Sequence, residues 1–244
     1  MVKVVNCKVI SNLQIANQTY ELALQGPTSW LKPGKFVNLQ IPGFFLRRPM
    51  SVCRNNNNTM FIIYRIVGNG TSQLATYHPG TFVNVIIDLG NSFTYDKNYG
   101  KPLIIAGGLG LGSVFNLATS FKKRKIAFDM ICGFKTKDDV CYIKEVKAIN
   151  PNAIFCTDDG SYGEKGNIVQ IINNHDWTNR YYYLCGSTNM MKAVYRNCQR
   201  GQLSLESRMG CGFGACMGCS IKTKKGEKRI CKNGPIFFSE DLLW

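Results

Sequence analysis

Apolar and polar residues alternate along most of the first hundred positions and then give way to solid apolar runs. Up to about Tyr99, the stretches VKVVNCKVI, TYELALQ, KFVNLQI, TMFIIYRIV and TFVNVIID are rich in β-branched and aromatic residues, the composition of short strands. Pro27, Pro33-Gly34, Pro42-Gly43, the Asn55–Asn58 run and Pro79-Gly80 separate them as turns. Strands at this spacing predict an antiparallel β-barrel over 1–99.

At Lys101-Pro102 the pattern changes. LIIAGG predicts a buried strand, GLGLG a glycine turn and SVFNLATSFKK a helix. Strand KIAFDMICG, a helix near Tyr142–Ala148, strand AIFCT, helix Asn167–Asn174, strand YYYLCG and helix Asn189–Arg200 follow. Strands alternating with helices predict a parallel α/β sheet over 100–202, covered on both faces. Ligands of such a sheet bind at the carboxyl ends of its strands. The turns at those ends put Gly107, Gly108 and Gly110, then Asp158, then Cys185 and Gly186, in candidate nucleotide-binding positions. The glycine turn is not G-x-G-x-x-G, because position 113 is serine, and Asp129 reads as mid-strand. The dinucleotide fingerprint of the Rossmann fold is therefore absent.

The remainder, 203–244, forms a third, small unit built on cysteine. Cys211, Cys216, Cys219 and Cys231 are spaced C-x4-C-x2-C with a fourth cysteine after eleven intervening residues, the plant-type ligand spacing of a 2Fe–2S cluster. Gly210, Gly212, Gly214 and Gly218 let the backbone fold tightly around a small inorganic core and turn its N–H groups toward the sulfurs. A zinc site ordinarily offers C-x2-C twice, and only one such pair exists here. Disulfides need an oxidising compartment.

Composition narrows the setting. The start, MVKVVNCKVI, alternates like a strand and lacks the form of a signal peptide. No apolar run approaches bilayer length. With eleven cysteines, a reducing cytoplasm is the expected location. Seven of them, at 7, 53, 132, 141, 156, 185 and 198, read as small core residues. The net charge of +15 raises nucleic acid as a partner. The basic residues are scattered apart from 122–125 and 222–229, and no nucleic-acid-binding motif accompanies them. A basic surface that attracts phosphate-bearing cofactors or an acidic partner is the expectation instead.

Two pieces of the first unit offer ligand chemistry. In Arg47-Arg48-Pro49-Met50-Ser51 an arginine fork suits a phosphate or a flavin oxygen. In IYRIVGNGTSQL, a strand carrying Ile63, Tyr64 and Arg65 runs through Gly70 into Thr71, where a helix starts with Thr71 or Ser72 as its cap. Glycines before a helix suit a diphosphate. Either motif alone also fits an ordinary edge strand or turn; together they favour a flavin dinucleotide.

A barrel carrying RPxS and GxGT, followed by a GGxGxG nucleotide fold, resembles the ferredoxin–NADP reductase superfamily. The tail LSLESRMGCGFGACMGCSIKT with KRICKNGPIF is similar to the electron-transfer subunits of NAD-linked, two-subunit dihydroorotate dehydrogenases. The resemblance spans nearly the whole chain. It implies FAD at Arg48, Pro49, Met50, Ser51, Ile63, Tyr64, Arg65, Gly70 and Thr71, NAD(H) as a diffusible substrate on the second unit, and a 2Fe–2S cluster on the four cysteines. It also implies a role in pyrimidine biosynthesis, with an FMN-containing catalytic subunit as partner in a 2+2 heterotetramer. Two departures are visible: Gly112-Ser113 stands where relatives carry proline, and Ser92 where glycine is usual.

The chemistry agrees with the parts. A nicotinamide exchanges two electrons at once and an iron–sulfur cluster one, so a flavin belongs between them. His78 and His175 stand alone, and no acid–base or nucleophilic constellation is visible. Dihydroorotate oxidation then falls to the partner, which would dock around Phe213, Met217 and the tail residues Phe237, Phe238, Leu242, Leu243 and Trp244. Two alternatives remain: a subunit of an NADPH–ferredoxin oxidoreductase, and a non-enzymatic iron–sulfur flavoprotein acting as a redox sensor.

Overall fold

The first strand, β1 (Lys3–Ala16), runs well past its alternating sequence because it serves two neighbours. Its first half pairs with β7 (Phe82–Leu89) and its second half with β2 (Thr19–Gln25). Register shifts between Val9 and Ser11 and between Gln14 and Ala16 bend it, as bulges do. The computed structural model describes residues 2–95, 99–177, 179–197 and 200–244. Cys198 and part of the helix expected up to Arg200 lie outside them.

The remaining strands of the first sheet are β3 (Phe36–Leu39), β4 (Arg48–Ser51), β5 (Arg54–Asn56) and β6 (Thr59–Arg65). The order is β4-β3-β7-β1-β2-β6-β5, all antiparallel. The expected barrel is thus a curled half-barrel with two edge strands. Val52-Cys53 joins those edges: Val52 N donates to Lys35 O at 3.5 Å and Cys53 N to Phe61 O at 2.9 Å. Leu22, Leu24, Val37, Leu39, Met60, Ile62 and Val85 fill its interior. Helix α1 (Asn69–Ala75) closes one end and buries Leu74. Its cap is Gly68, not Thr71 or Ser72; Thr71 lies one turn inside.

The second sheet has a parallel core, β10-β9-β8-β12-β13. Its strands are β8 (Lys101–Gly107), β9 (Asp129–Phe134), β10 (Ile154–Thr157), β12 (Arg180–Cys185) and β13 (Gly201–Ser204), with short β11 (Glu164–Lys165) beside β10. Helices α2 (Leu111–Lys123), α3 (Ile143–Ile149), α4 (Ile168–Asn174) and α5 (Thr188–Asn197) connect the strands. Alternate residues of β8 enter opposite layers: Ile104 and Ala106 pack with Phe115 and Phe121, Leu103 and Ile105 with Ile131 and Leu184. Strand order reverses between β8 and β12, which opens a crevice above Gly107 and Cys185. Asp129, expected mid-strand, instead begins β9 at the opposite end. There it pairs with Lys101 at 3.1 Å and Arg180 at 2.8 Å.

The cysteine segment returns to both units. After the loop 206–219 come the hairpin β14 (Ser220–Thr223) and β15 (Gly226–Arg229), the turn α6 (Ile230–Asn233) and β16 (Ile236–Phe238). Strand β16 pairs antiparallel with β13 and so extends the parallel sheet. Asn91 ties the segment to the half-barrel: its amide N–H groups donate to Asn233 O (3.1 Å) and Ile236 O (2.8 Å), and its side-chain oxygen accepts from Ile236 N (2.9 Å).

Candidate functional site

The two halves of the arginine motif separate in the structure. Arg47 is structural, donating to Asn38 O, Asn84 O, Asn84 Oδ1 and Gln40 Oε1. Arg48 turns to the other side, over the Phe44 ring and against Gly70, where a Cβ would stand 2.6 Å from its guanidinium. Glycine at 70 is what admits that approach, so the two sequence motifs meet at one contact.

Arg48, Pro49, Met50, Ser51, Ile63, Tyr64, Arg65 and Thr71 all line one cleft of about 370 Å³. Strand β4 is an edge, so one side of its backbone has no strand partner and is open to a ligand. The opposite wall comes from Leu109, from Ser204 to Ser207, and from Met209 and Pro235. None of these was singled out from the sequence, although Glu206 and Ser207 directly precede the cysteine motif. A largely apolar cleft lined also by two arginines fits a flavin with a diphosphate tail. Two residues play other parts than their motif suggests. The Tyr64 hydroxyl points into the half-barrel and donates to Asn12 Oδ1 at 2.9 Å. The Thr71 hydroxyl accepts from Val67 N and Gly68 N and donates to Gly68 O, which uses its full capacity and leaves it shaping the turn.

A second cleft, of about 270 Å³, lies at the strand-order reversal. Gly107, Gly108 and Asp158 line it, with Gly133, Phe134, Lys135, Asp139, Asn167, Ser187 and Met190. Gly110, Cys185 and Gly186 support it from behind. A Cβ on Gly110 would meet Cys185 O at 2.2 Å, and Gly186 packs under Met190. Cys185 is fully buried, and burial pushes its thiol pKa far up. Ser113, in the Gly112-Ser113 pair, donates to Ser204 Oγ at 2.7 Å and is buried. Arg65 belongs to both clefts and is held at 2.7 Å by Asp139. The clefts are therefore neighbours, joined through Arg65 and the Gly107–Leu109 turn.

The four motif cysteines fold into two pairs. Cys211 Sγ accepts from Ala215 N (3.2 Å) and Cys216 N (3.4 Å), Cys216 Sγ accepts from Cys211 N (3.4 Å), and Cys219 Sγ accepts from Cys231 N (3.4 Å). Gly212 and Gly214, at φ of +79° and +93°, supply the left-handed turns this requires. Partial burial would raise the Cys211 thiol, but N–H groups of Cys216, Phe213 and Ala215 outweigh it and hold the pKa down at about 6. Cys231 goes the other way, to about 12, through burial and the neighbouring Cys219 thiol. Among the described residues no three Cys, His, Asp or Glu side chains surround one point as a single ion needs. Two pairs with N–H groups aimed at sulfur instead match a two-iron cluster, which takes two thiolates per iron.

Residues 206–243 match the family described as the iron–sulfur cluster binding domain of dihydroorotate dehydrogenase B. Over nearly its full length the chain is 33% identical to the dihydroorotate dehydrogenase B (NAD(+)) electron transfer subunit of Clostridium perfringens, covering 94% of each protein. It is 36% identical to the corresponding subunit of Fusobacterium nucleatum, with 98% of each covered. The chain belongs to this family of electron transfer subunits. Its fold is also that of an NADH-dependent reduced ferredoxin–NADP oxidoreductase (TM-score 0.86, 22% identity, 98% of this chain and 90% of that one). Phthalate dioxygenase reductase shares it more distantly (TM-score 0.69, 16% identity, 84% and 70% covered). As a member of the family the chain is an oxidoreductase subunit, and among the described residues no helix is long and apolar enough to cross a membrane.

Of the docking residues expected from the sequence, Phe213 and Met217 are exposed beside the cysteines, at 40% and 49%. The tail is divided: Phe237 and Leu242 are buried and Phe238 half-buried, while Leu243 and Trp244 are exposed, with Trp244 edge-on against Tyr195. His175 pairs with Glu164 at 3.1 Å.

Proposed function

We propose that this chain carries electrons from an FMN-containing dihydroorotate dehydrogenase catalytic subunit to NAD⁺, through a 2Fe–2S cluster and one non-covalent FAD, in pyrimidine biosynthesis. The observation that carries the reading is contiguity. The nucleotide cleft meets the flavin cleft at Arg65 and Gly108-Leu109, and the flavin cleft reaches Met209, two residues before Cys211. Two residues span at most about 7 Å, so Cys211 lies next to the flavin cleft.

A flavin supplies the exchange between two-electron hydride chemistry and one-electron transfer; the protein's residues supply binding and order. Arg48 offers a charge-assisted fork to the FAD diphosphate, with Pro49, Met50 and Ser51 presenting the open edge of β4. Ile63 and Arg65 shape the floor, and Tyr64, Gly70 and Thr71 hold it in place. Gly107 and Gly108 let the nucleotide backbone approach, with Gly110, Cys185 and Gly186 packed behind. Asp158 accepts from a ribose hydroxyl and repels a 2′-phosphate, which favours NAD(H) over NADP(H). Cys211 with Cys216, and Cys219 with Cys231, would hold the cluster through their thiolates. Exposed Phe213 and Met217 suit the catalytic subunit's docking surface, since Met and aromatic residues are enriched at such sites, and a 2+2 assembly follows if that subunit is a dimer. A reducing cytoplasm, where the thiols stay free to hold iron, is the location this chemistry calls for.

In this reading the oxidation of dihydroorotate belongs to the catalytic subunit. The purified chain is therefore expected to pass electrons from NADH to artificial acceptors but not to oxidise dihydroorotate until the catalytic subunit is added. Dihydroorotate turnover by the chain alone would overturn the proposal.

A further inference from the structure

Asn38 lies in β3 directly opposite Pro49 of β4. Its neighbours Val37 and Leu39 enter the half-barrel core, so Asn38 faces outward with Phe36, and Phe36 and Pro49 both line the flavin cleft. The side chain is wholly excluded from solvent. Its nitrogen donates to the Cys211 carbonyl at 3.3 Å and lies so near Gly212 that a Cβ there would stand 2.3 Å away. Its oxygen has no hydrogen-bond partner. An unpaired buried acceptor is unfavourable, and an apolar residue of the same shape would serve packing better. What Asn38 offers in return is a donor at the junction between the flavin cleft and the first cysteine turn.

We propose that Asn38 is a positioning residue for the electron path: it fixes the Cys211 turn against the flavin cleft and makes the cluster easier to reduce. The positive end of its carboxamide points at the Cys211 peptide. Reduction adds negative charge to the cluster, and hydrogen bonds around the sulfur ligands set its potential. Removing the donor should therefore lower that potential. The inference rests on Cys211, Cys216, Cys219 and Cys231 being cluster ligands.

The test uses the complete chain, purified without oxygen with both cofactors, as wild type, Asn38→Leu and Asn38→Asp. Iron and flavin content, the cluster and flavin midpoint potentials, and the rates of flavin and cluster reduction after rapid mixing with NADH are measured. In Asn38→Leu the cofactors are expected to be retained and the cluster potential to become more negative, with the flavin potential unchanged. Cluster reduction should slow by about ten-fold, the lower end of what losing an outer hydrogen bond at a metal site does, while flavin reduction keeps its rate. Asn38→Asp should shift the potential further the same way, because it places negative charge where the donor was. Wild-type potentials and rates in both variants would overturn the inference. So would loss of the cluster from both with flavin intact, which would make Asn38 a structural anchor alone. A wild-type protein without iron or acid-labile sulfide would instead overturn the ligand assignment beneath it.

Discussion

At the scale of single residues, the account depends on a few side chains whose surroundings leave little choice of role. Arg48 stands over Gly70 at the flavin cleft. Arg48→Ala is expected to weaken FAD binding by about 1.5–3 kcal/mol, the worth of a charge-assisted contact, or roughly 10- to 150-fold. Flavin fluorescence during dialysis or titration reads this directly, and unchanged affinity would remove Arg48 from the site. Serine at any of Cys211, Cys216, Cys219 or Cys231 should lose or destabilise the cluster, whereas Cys7→Ser, deep in the half-barrel core, should keep it. Iron and acid-labile sulfide analysis distinguishes the two groups. Asp158→Ser should raise kcat/KM for NADPH relative to NADH by removing the carboxylate that repels a 2′-phosphate; an unaltered ratio would place the discriminating residue elsewhere.

At the scale of elements, the C-terminal segment is held by strand pairing and by one asparagine. β16 adds to β13, and Asn91 makes three side-chain hydrogen bonds to Asn233 and Ile236. Asn91→Ala leaves those backbone groups unpaired and is expected to cost about 1–3 kcal/mol. The loss should appear as earlier cluster bleaching on heating while flavin retention is little changed; simultaneous loss of both would mean that the segment does not loosen on its own. Asn91 shows why part of the site was illegible in the sequence. Its partners lie more than 140 positions away in the chain, and nothing in the local pattern marks it. The iron–sulfur domain was legible because its cysteine spacing is itself a ligand pattern. Strands β8, β9, β10 and β12 and the helices of the second sheet were legible from period and turn residues, whereas β11, β13 and β16 were not. The half-barrel's edges were not: β4 and β5 are three or four residues long, too short for alternation to register. Asp129 was misplaced within β9 because the apolar run KIAFDMICG begins before its strand does. The flavin cleft's far wall combines β13, the segment before Cys211 and Pro235, which only the tertiary fold brings together.

At the scale of the whole molecule, burial of thiols sets an alkaline limit. Burial raises Cys7 to about 11 and is the main cause that raises Cys53, Cys141 and Cys156 to about 12. Below an ordinary thiol pKa near 9 these groups are neutral in both states and contribute nothing to pH dependence. Above it the unfolded chain loses protons that the folded chain keeps, so stability falls as pH rises from about 9 toward 12. The melting temperature is expected to be lower at pH 10.5 than at pH 7.5; an equal or higher value would mean that these thiols ionise without unfolding the chain.

The central claim is a continuous path from nicotinamide through flavin to cluster within this one chain, and a single anaerobic titration with NADH, followed by absorbance, addresses it. The purified chain should show flavin and iron–sulfur bands together. NADH should bleach both, with complete reduction near 1.5 equivalents, since two electrons per NADH must fill about three places on one FAD and one cluster. Flavin bands that bleach while the cluster stays oxidised, or a protein whose spectrum NADH leaves unchanged, would contradict the account.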